Sequence, residues 1–289
     1  MTSINCYGDI MYEQHIQLDE YDNSKDCLVE SVKFKVGGSA FNTANGLAKI
    51  GHKVNLISSI GTDIEGEYVK EILKNIKNIN TDYVDFSNIQ TSKVFALINN
   101  SKEHKFLSFR CNNIYMKKNL ETLKIKKNDF LLISGYSLQD SNSKIICNDL
   151  IEKCRNNSGI LSIDPSLHYA NNFNSIERDY CIDYFFPNQE EASIISGVVN
   201  YEESAKILHE KNIKNIIITL GNNGCYFSNS LHSKLYKPQS ICDQILTIGA
   251  GDNFVAGFIS AKINQYSVEE CVKSANKSAY DYLTNSNNK

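Results

Sequence analysis

The sequence of 289 residues contains no tryptophan, only three prolines and no excess of charge of either sign. Thirty basic and 33 acidic residues give a formal net charge of −3, which argues against non-specific binding to nucleic acid. Its longest apolar stretches, such as 130–133 and 216–218, are far shorter than the roughly 18 residues that a membrane helix requires. We therefore expect no nucleic-acid partner and no membrane association.

Nine cysteines are scattered along the chain, and none stands in a C-x-x-C pair. Their odd number and the length of the chain argue against a disulfide framework, so we expect reduced, mostly buried cysteines. The N-terminal residues show no basic segment followed by an apolar one, the pattern of a signal peptide. These features predict a cytoplasmic protein.

Several common catalytic motifs are also missing. The sequence has no phosphate-binding G-x-x-x-x-G-K-[ST], no H-E-x-x-H and no G-x-S-x-G. Gly249-Ala250-Gly251 begins a G-x-G, but Phe254 stands where a dinucleotide fingerprint needs its third glycine. The six histidines are dispersed, and none forms a ligand pair at helical spacing.

Strand patterns and helix patterns alternate over most of the chain. Examples are the strands 54–60 and 216–220 and the helices 40–50 and 202–210. Such alternation predicts an α/β fold with a mostly parallel sheet and helices on both of its faces. Ligands of such sheets bind at the carboxyl ends of the strands. No linker divides the chain, so we expect one domain over residues 1–289.

Two segments interrupt the alternation. The stretch 32–36 alternates apolar and polar residues, and 94–98 with 106–109 has the pattern of a hairpin. We predict antiparallel strands beside the main domain, a small lid drawn from about 14–36 and 91–110. Its apolar face must be covered, which predicts a homodimer through the lid. A lid that covers only its own site, in a monomer, is the alternative.

The stretch Gly249-Ala250-Gly251-Asp252 is the most informative one. Its small residues let the backbone approach a ligand closely, and a helix pattern begins there. The free N–H groups of a helix start form an anion site, and a carboxylate beside such a site can act as a general base. An equally plain interpretation is a turn and helix start in which Asp252 is only a stabilising charge.

Gly37 and Gly38 precede a helix and can let backbone approach a small ligand, which Asn42 can hydrogen-bond. The alternative is a strand-to-helix turn capped by Ser39.

Two further polar segments follow predicted strands. Asn188 and Glu191 could orient the water shell of a Mg²⁺ ion, or could simply cap a helix. The stretch 219–224 ends a strand and could line a ligand site or form a hairpin turn.

Taken together, the segments resemble the ribokinase-like (PfkB-type) carbohydrate kinase family. The similarity runs from about residue 8 to residue 279. Five ordered motifs carry it: Gly37–Asn42, Gly61–Gly66, Asn188–Glu191, Thr219–Gly224 and Leu246–Asp252.

The resemblance implies a three-layer α/β/α sandwich with a small β-strand lid and transfer of the ATP γ-phosphoryl group to a sugar hydroxyl. It implies that Asp252 is the base and that the backbone of Gly249, Ala250 and Gly251 forms the anion hole. On the side of ATP and Mg²⁺ it places Asn188, Glu191 (which would hold Mg²⁺ through water), Thr219, Gly221, Gly224 and Asn276. On the substrate side it places Asp9, Glu13, Gly37, Gly38, Asn42, the loop of Asp63, and Arg110.

Three positions depart from the family pattern. Leu246 stands where many relatives have an aspartate that helps to bind a monovalent cation, so activation by K⁺ is in doubt. Glu13 replaces the shorter aspartate of a G-[DE]-x-x-x-D pattern. The stretch 164–168 lacks the asparagine and arginine of the D-x-N-x-R motif found in some hexose kinases.

These departures leave the substrate open. We expect a small sugar or sugar derivative, and the altered motifs resemble those of the fructoselysine kinase branch. A nucleoside is the alternative substrate, for which Tyr12, Phe41, Phe95 and Phe109 are candidate stacking residues. A ligand-binding protein without catalysis is the alternative from another functional class.

Overall fold

The computed structural model describes residues 2–19, 28–111, 120–138, 141–173, 180–238 and 246–287. The strands are β1 (Ile4–Tyr7), β2 (Met11–Leu18), β3 (Val29–Gly37), β4 (Val54–Gly61), β5 (Ile79–Asn80), β6 (Val84–Ser87), β7 (Lys93–Ile98), β8 (His104–Phe109), β9 (Phe130–Ser134), β10 (Ile160–Asp164), β11 (Ile182–Phe185), β12 (Ile213–Thr219), β13 (Cys225–Ser228) and β14 (Ser233–Tyr236). The helices are α1 (Ser39–Ile50), α2 (Ile64–Lys74), α3 (Ser141–Asn156), α4 (Leu167–Asn172), α5 (Gln189–Ser196), α6 (Tyr201–Glu210), α7 (Ala250–Ile263) and α8 (Val268–Asn287).

The larger sheet has ten strands in the order β14-β13-β12-β11-β10-β9-β1-β4-β5, and β6 also pairs with β4. All its pairings are parallel except those of β13 with β12 and with β14. Because the strands are buried on both faces, their sequences are almost continuously apolar. The predicted mostly parallel sheet is confirmed.

Two hydrophobic cores lie on opposite faces of this sheet. In β9, Phe130 and Leu132 contribute to one core, and Leu131 and Ile133 contribute to the other, because successive side chains of a strand point to opposite faces. Helices α1, α2, α7 and α8 cover the first face, and α3 to α6 cover the second. The architecture is therefore the expected three-layer α/β/α sandwich.

Helix α1 illustrates how local sequence sets its bounds. It ends at Gly51, which adopts the left-handed conformation that glycine takes without strain. Its first residue is Ser39, and the N-cap position is occupied by Gly38. The interpretation of Ser39 as the cap is therefore wrong, and its hydroxyl is available to the site described below.

A separate sheet of four strands has the order β3-β2-β7-β8. Pairs β2–β3 and β7–β8 are antiparallel, as expected for 32–36 and for the hairpin 94–109, whereas β2 and β7 run parallel. No turn joins β2 to β7, so no hairpin dictates their direction. Strand β2 starts at Met11, before the predicted lid range of about 14–36. Residues 20–27 of that range lie outside the described residues.

Seven cysteines fall within the described ranges, where none forms a disulfide and five are buried, while Cys27 and Cys242 lie outside those ranges. Within the same ranges, no helix is both long enough and apolar enough to cross a membrane.

Candidate active site

A cavity of about 370 Å³ lies where the two sheets meet, at the carboxyl ends of the main-sheet strands. The small sheet contributes side chains from β2, β7 and β8, and the sandwich contributes the starts of α1, α5 and α7. Four carboxylic side chains line this cavity, which we call the acidic cavity: Glu13, Asp164, Glu191 and Asp252.

Asp252 lies in the first turn of α7. Asn42 of α1 donates a hydrogen bond from Nδ2 to Oδ2 of Asp252 at 2.9 Å, and the hydroxyl of Thr43 donates to the backbone oxygen of Asp252 at 3.3 Å. Burial raises the pKa of Asp252 to about 6, against the opposing hydrogen bonds from Asn42 and Ser39. The carboxyl group is held in place by its contacts with α1.

The backbone before Asp252 is sterically restricted at Gly249 and open at Gly251. Gly249 is the N-cap of α7 at φ 82°, and a Cβ atom there would lie 2.7 Å from the hydroxyl of Tyr282. The Nδ2 of Asn253 donates to the oxygen of Gly249 at 2.8 Å. At Gly251, by contrast, a Cβ atom would meet nothing within 4 Å. The first amides of α7 therefore border open space, as an anion site requires.

Asp164 is a site residue that sequence reasoning missed. It ends β10 and lines the acidic cavity, where the hydroxyl of Ser39 donates to its Oδ2 at 3.4 Å. Burial and the nearby carboxyl groups of Asp252 and Glu191 raise its pKa well above the usual range. The available signal is an acidic residue at the end of a buried strand, because the strand ends of a parallel sheet form its ligand edge.

Glu13 is held by the two glycines predicted beside it. Its Oε1 accepts from the backbone N–H of Gly38 at 3.2 Å, and its Oε2 lies 3.0 Å from Nε2 of His15. A Cβ atom at Gly37 would lie 1.9 Å from Oε1 of Glu13. Gly37 therefore makes room for this carboxylate and does not itself line the cavity.

Arg110 lines the acidic cavity with its guanidinium 4.1 Å above the ring of Tyr136. Its Nη1 also donates to Oδ2 of Asp9 in an ion pair. Asp9 is not among the residues that line the cavity. The negative charge of Asp9 neutralises that of Arg110, so the ion pair adds no net charge to the cavity wall.

Asp63 lines neither the acidic cavity nor the second cavity, which is described next. Its side chain caps α2 by accepting from the N–H of Gly66 at 3.0 Å, and it accepts from the N–H of Thr91 at 3.0 Å. Burial acts to raise the pKa of Asp63, but the hydrogen bonds from Thr91 and Gly66 outweigh it and lower the pKa. Asp63 ties α2 to the segment that leads into β7.

A second cavity of about 260 Å³, which we call the uncharged cavity, adjoins the first. Thr219, Thr247 and Gly251 line both, so the two cavities meet at the start of α7. The positions expected to face ATP also line it: Thr219, Gly221, Gly224 and Asn276, together with Ala250. None of the described residues lining it carries a charge.

The stretch 219–224 is also a hairpin turn between antiparallel β12 and β13, as its alternative interpretation predicted. Gly224 has φ 92°, and a Cβ atom there would lie 2.0 Å from the backbone oxygen of Tyr236. Glycine is therefore required by the turn itself, and the cavity uses the space that the turn leaves.

Asn188 and Glu191 form a capping box at the start of α5. The N–H of Glu191 donates to Oδ1 of Asn188 at 2.8 Å, and the N–H of Asn188 donates to Oε2 of Glu191 at 2.9 Å. Both residues nevertheless line the acidic cavity. Burial raises the pKa of Glu191 to about 7. Across the described ranges, no group of three His, Cys, Asp or Glu side chains could hold a metal ion by itself.

The aromatic side chains at the cavity differ from those expected. None of the candidate stacking residues Tyr12, Phe41, Phe95 and Phe109 lines the acidic cavity. Phe41 is part of a hydrophobic core, and Tyr12 packs against Phe34 and Tyr68. The aromatic residues that line the cavity are Phe106, Tyr136 and Phe186.

A carboxyl group at a helix start, between an acidic and an uncharged cavity, is compatible with a phosphotransferase that acts on a hydroxyl group. The chain belongs to the pfkB family of carbohydrate kinases, whose sequence profile matches residues 1–286. It is thus a kinase of sugar-like alcohols, as the five motifs indicated.

Individual relatives are distant. The ribokinase of Haemophilus influenzae is 26% identical over 282 residues, which cover 94% of this chain and 89% of that protein. The fructosamine kinase of Bacillus subtilis is 27% identical over 244 residues, covering 83% of this chain and 81% of the relative. The crystal structure of adenosine kinase from Sinorhizobium meliloti has a TM-score of 0.82 at 17% identity, covering 98% and 94% of the two chains, and shows the shared fold.

Proposed function

We propose that this protein transfers the γ-phosphoryl group of ATP to a hydroxyl of a small sugar or sugar derivative, with Asp252 as the general base. The observation that carries the proposal is the position of Asp252 in the first turn of α7, where the two cavities meet. Asp252 takes the hydroxyl proton while the substrate oxygen bonds to phosphorus and ADP leaves. The first amides of α7 stabilise the charge on the transferring group.

Magnesium fits this site only as a partner of the nucleotide. Glu191 is a buried carboxyl whose Oε2 already accepts from the backbone of Asn188. We propose that Glu191 holds Mg²⁺ through water, with Asn188 fixing its orientation. The ion supplies neutralisation of phosphate charge. Leu246 offers no side-chain oxygen, so we propose that turnover does not require K⁺.

A fructosamine such as fructoselysine is our first candidate substrate. The acidic cavity contains four carboxylic side chains, and the charge of Arg110 is already matched by Asp9. The amino group of a fructosamine is positively charged and suits such a cavity better than an anionic group does. The similarity to the fructosamine kinase of Bacillus subtilis points the same way.

A nucleoside is the second candidate. Phe106 and Tyr136 line the cavity and are aromatic residues on which a base can stack, Tyr136 only with the ring face that Arg110 does not cover. The shared fold with an adenosine kinase is consistent with this alternative. A binding protein without catalysis remains as the outcome in which a ligand binds and ATP is not consumed.

Binding and turnover separate these possibilities. Thermal shifts should be measured with Mg²⁺ and a non-hydrolysable ATP analogue, then with D-ribose, D-fructose, fructoselysine and adenosine, because a ligand of the folded state raises the melting temperature. We expect a shift with the nucleotide and with one acceptor class, and ADP production with that acceptor. Absence of any nucleotide shift would contradict the kinase proposal.

The role of Asp252 is tested by Asp252→Asn. We expect kcat to fall by about 10²- to 10⁴-fold, the usual contribution of a general base, with unchanged folding. Asp149→Asn, an exposed substitution of the same kind on α3, is the control and should be neutral. Near-normal turnover of Asp252→Asn would exclude this mechanism.

We further propose that the chain acts as a single kinase domain, with the small sheet as its lid, and that two lids pack together in a homodimer. The outer face of the lid exposes Val32 and Phe34 of β3 and Leu107 and Phe109 of β8. The strand register places these side chains on one face, away from the cavity. Light scattering should give twice the mass of one chain, and Leu107→Lys should reduce it to one. A single-chain mass for the unmodified protein would refute the dimer.

A further inference from the structure

Helices α7 and α8 pack closely along one face of α7. A Cβ atom at Gly257 would lie 2.6 Å from both the backbone oxygen of Ser274 and the hydroxyl oxygen of Ser278. Eight residues earlier, a Cβ atom at Gly249 would lie 2.7 Å from the hydroxyl oxygen of Tyr282. Because Ser274, Ser278 and Tyr282 follow one another at four-residue spacing, they lie along one side of α8. The end of α8 therefore packs against the start of α7.

The contact between Tyr282 and Gly249 involves the outer edge of the tyrosine ring. The Oη, Cζ and Cε1 atoms of Tyr282 would lie 2.7, 3.0 and 3.1 Å from a Cβ atom at Gly249. Since a Cβ atom is about 1.5 Å from its Cα atom, all three lie within about 4.6 Å of the Cα of Gly249. The φ of 82° by itself admits asparagine, which tolerates the left-handed conformation. The tyrosine ring excludes asparagine as well, because any side chain at position 249 would collide with it.

Tyr282 acts on the candidate site only through Gly249. Its side chain lines neither the acidic cavity nor the uncharged cavity, whereas Gly249 lines the acidic cavity. Tyr282 lines instead a further cavity of about 470 Å³. The backbone oxygen of Gly249 is held by Asn253, whose N–H and Nδ2 donate to it at 3.2 and 2.8 Å. These bonds fix the carbonyl group of Gly249, and the ring of Tyr282 restricts its Cα atom.

The position of Gly249 matters because it is the N-cap of α7, and the first amides of that helix follow it. Amides that stabilise a transferring phosphoryl group act through their fixed orientation, so a displacement of about 0.5 Å weakens their effect. We propose that Tyr282 is a positioning residue for phosphoryl transfer, which holds Gly249 so that the first amides of α7 face the transferring group. This inference rests on the proposed kinase function and assigns a role in it to helix α8.

The contact can be tested without any substrate by a double-mutant cycle. Tyr282→Leu removes all three contacting ring atoms and keeps an apolar side chain on the helix. We expect Gly249→Ala to lower the melting temperature by about 2–4 °C less in the Tyr282→Leu background than in the unmodified protein, because substitutions of residues in contact are not additive. Equal costs of Gly249→Ala in the two backgrounds would overturn the proposal.

Turnover tests the positioning role. With the acceptor identified in the panel above, Tyr282→Leu should lower kcat about 10- to 100-fold, while the KM values for ATP and for the acceptor stay within about threefold. Tyr282→Phe keeps the ring and should retain kcat within about threefold. Tyr266→Leu, at an exposed tyrosine between α7 and α8, is the matched control and should leave kcat unchanged.

The kinetics are measured well below the melting temperature of every variant, so that a loss of stability alone does not lower kcat. An unchanged kcat in Tyr282→Leu would overturn the positioning role and leave the kinase function standing. A rise in KM without a fall in kcat would also overturn it, since such a change indicates a role in ground-state binding. Absence of turnover by the unmodified protein with every acceptor would refute the kinase function and the role of Tyr282 with it.

Discussion

The acidic cavity and the uncharged cavity meet at Gly251 and yet have opposite chemistry. The first is lined by four carboxylic side chains, and the second has no charged residue among its described lining. A hydroxyl that must lose a proton needs a proton acceptor nearby. A bound nucleotide carries several negative charges and would be repelled by carboxylate groups. The two cavities thus divide the reaction into a side that handles protons and a side that tolerates phosphate.

The cavities also differ in how they are assembled. The uncharged cavity is made from one hairpin turn, the start of α7 and one face of α8. The acidic cavity needs both sheets, since Glu13 and Arg110 come with the lid strands and Asp164 and Asp252 come with the sandwich. Substitutions that act on one cavity and spare the other test whether this division is real.

The largest effect is expected at the junction itself. Gly249→Ala places a side chain at φ 82° and 2.7 Å from the hydroxyl of Tyr282, which should destabilise the fold by about 2 kcal/mol and reduce kcat about 10- to 100-fold. Gly251→Ala is the matched control for stability, because its new methyl group enters open space. Thermal melts and steady-state kinetics measure both. Equal melting temperatures for the two variants would show that a side chain at position 249 is not sterically restricted.

A charge placed in the uncharged cavity should act on the nucleotide alone. We expect Asn276→Asp to raise the KM for ATP about tenfold through repulsion of phosphate, with the KM of the acceptor unchanged. Asn285→Asp adds the same charge to an exposed position of the same helix and should leave both constants unaltered. A rise in the acceptor KM alone would show that the two cavities have been assigned the wrong way round.

The acidic cavity should leave a signature in the dependence of stability on pH. Burial raises the pKa of Glu191 to about 7, so the folded protein holds this proton to higher pH than the unfolded chain does. Its contribution is therefore full below the pKa of the unfolded chain and is lost as the pH rises through about 7. We expect Glu191→Gln to flatten this fall and to raise the melting temperature above pH 7 by roughly 5 °C. A melting profile of unaltered slope would show that Glu191 is not buried as described.

The smallest effect is expected at the ion pair of Asp9 and Arg110. Asp9→Asn removes the partner of Arg110 at a partly exposed ion pair and should change the KM of the acceptor about threefold, without effect on the KM for ATP. The direction reports the substrate's charge: a cationic acceptor should bind less well beside the freed arginine, and an anionic one better. Steady-state kinetics at low ionic strength measure the difference, and an unchanged acceptor KM would place Arg110 outside the substrate's reach.

Local patterns predicted most of the sandwich. The apolar runs of β4 and β12 and the helical spacing of α1 are properties of neighbouring residues, and the structure confirms them. Strands β5, β6 and β14 and helix α4 were missed, and only the second half of β2 falls in the predicted lid range. Strand β2 is rich in polar residues, and β14 is short and largely exposed, so neither carries a strong apolar pattern.

For the candidate site, motif spacing predicted which segments gather at the strand ends, because parallel strands bring their carboxyl ends to one edge. It could not predict that Asp9 would pair with Arg110, 101 positions away, or that Asn42 would donate to Asp252, 210 positions away. Such pairs depend on how the lid docks on the sandwich and on how α1 packs against α7.

The sequence by itself determined the alternation of strands and helices, the glycines at the turns and the carboxylate at the start of α7, since each depends on residues close together in the chain. Only the tertiary structure decided the charge and protonation of the site. Hydrogen-bond partners and burial set those properties, and both come from segments that are distant in sequence and meet only when the two sheets and α1 close around the cavity.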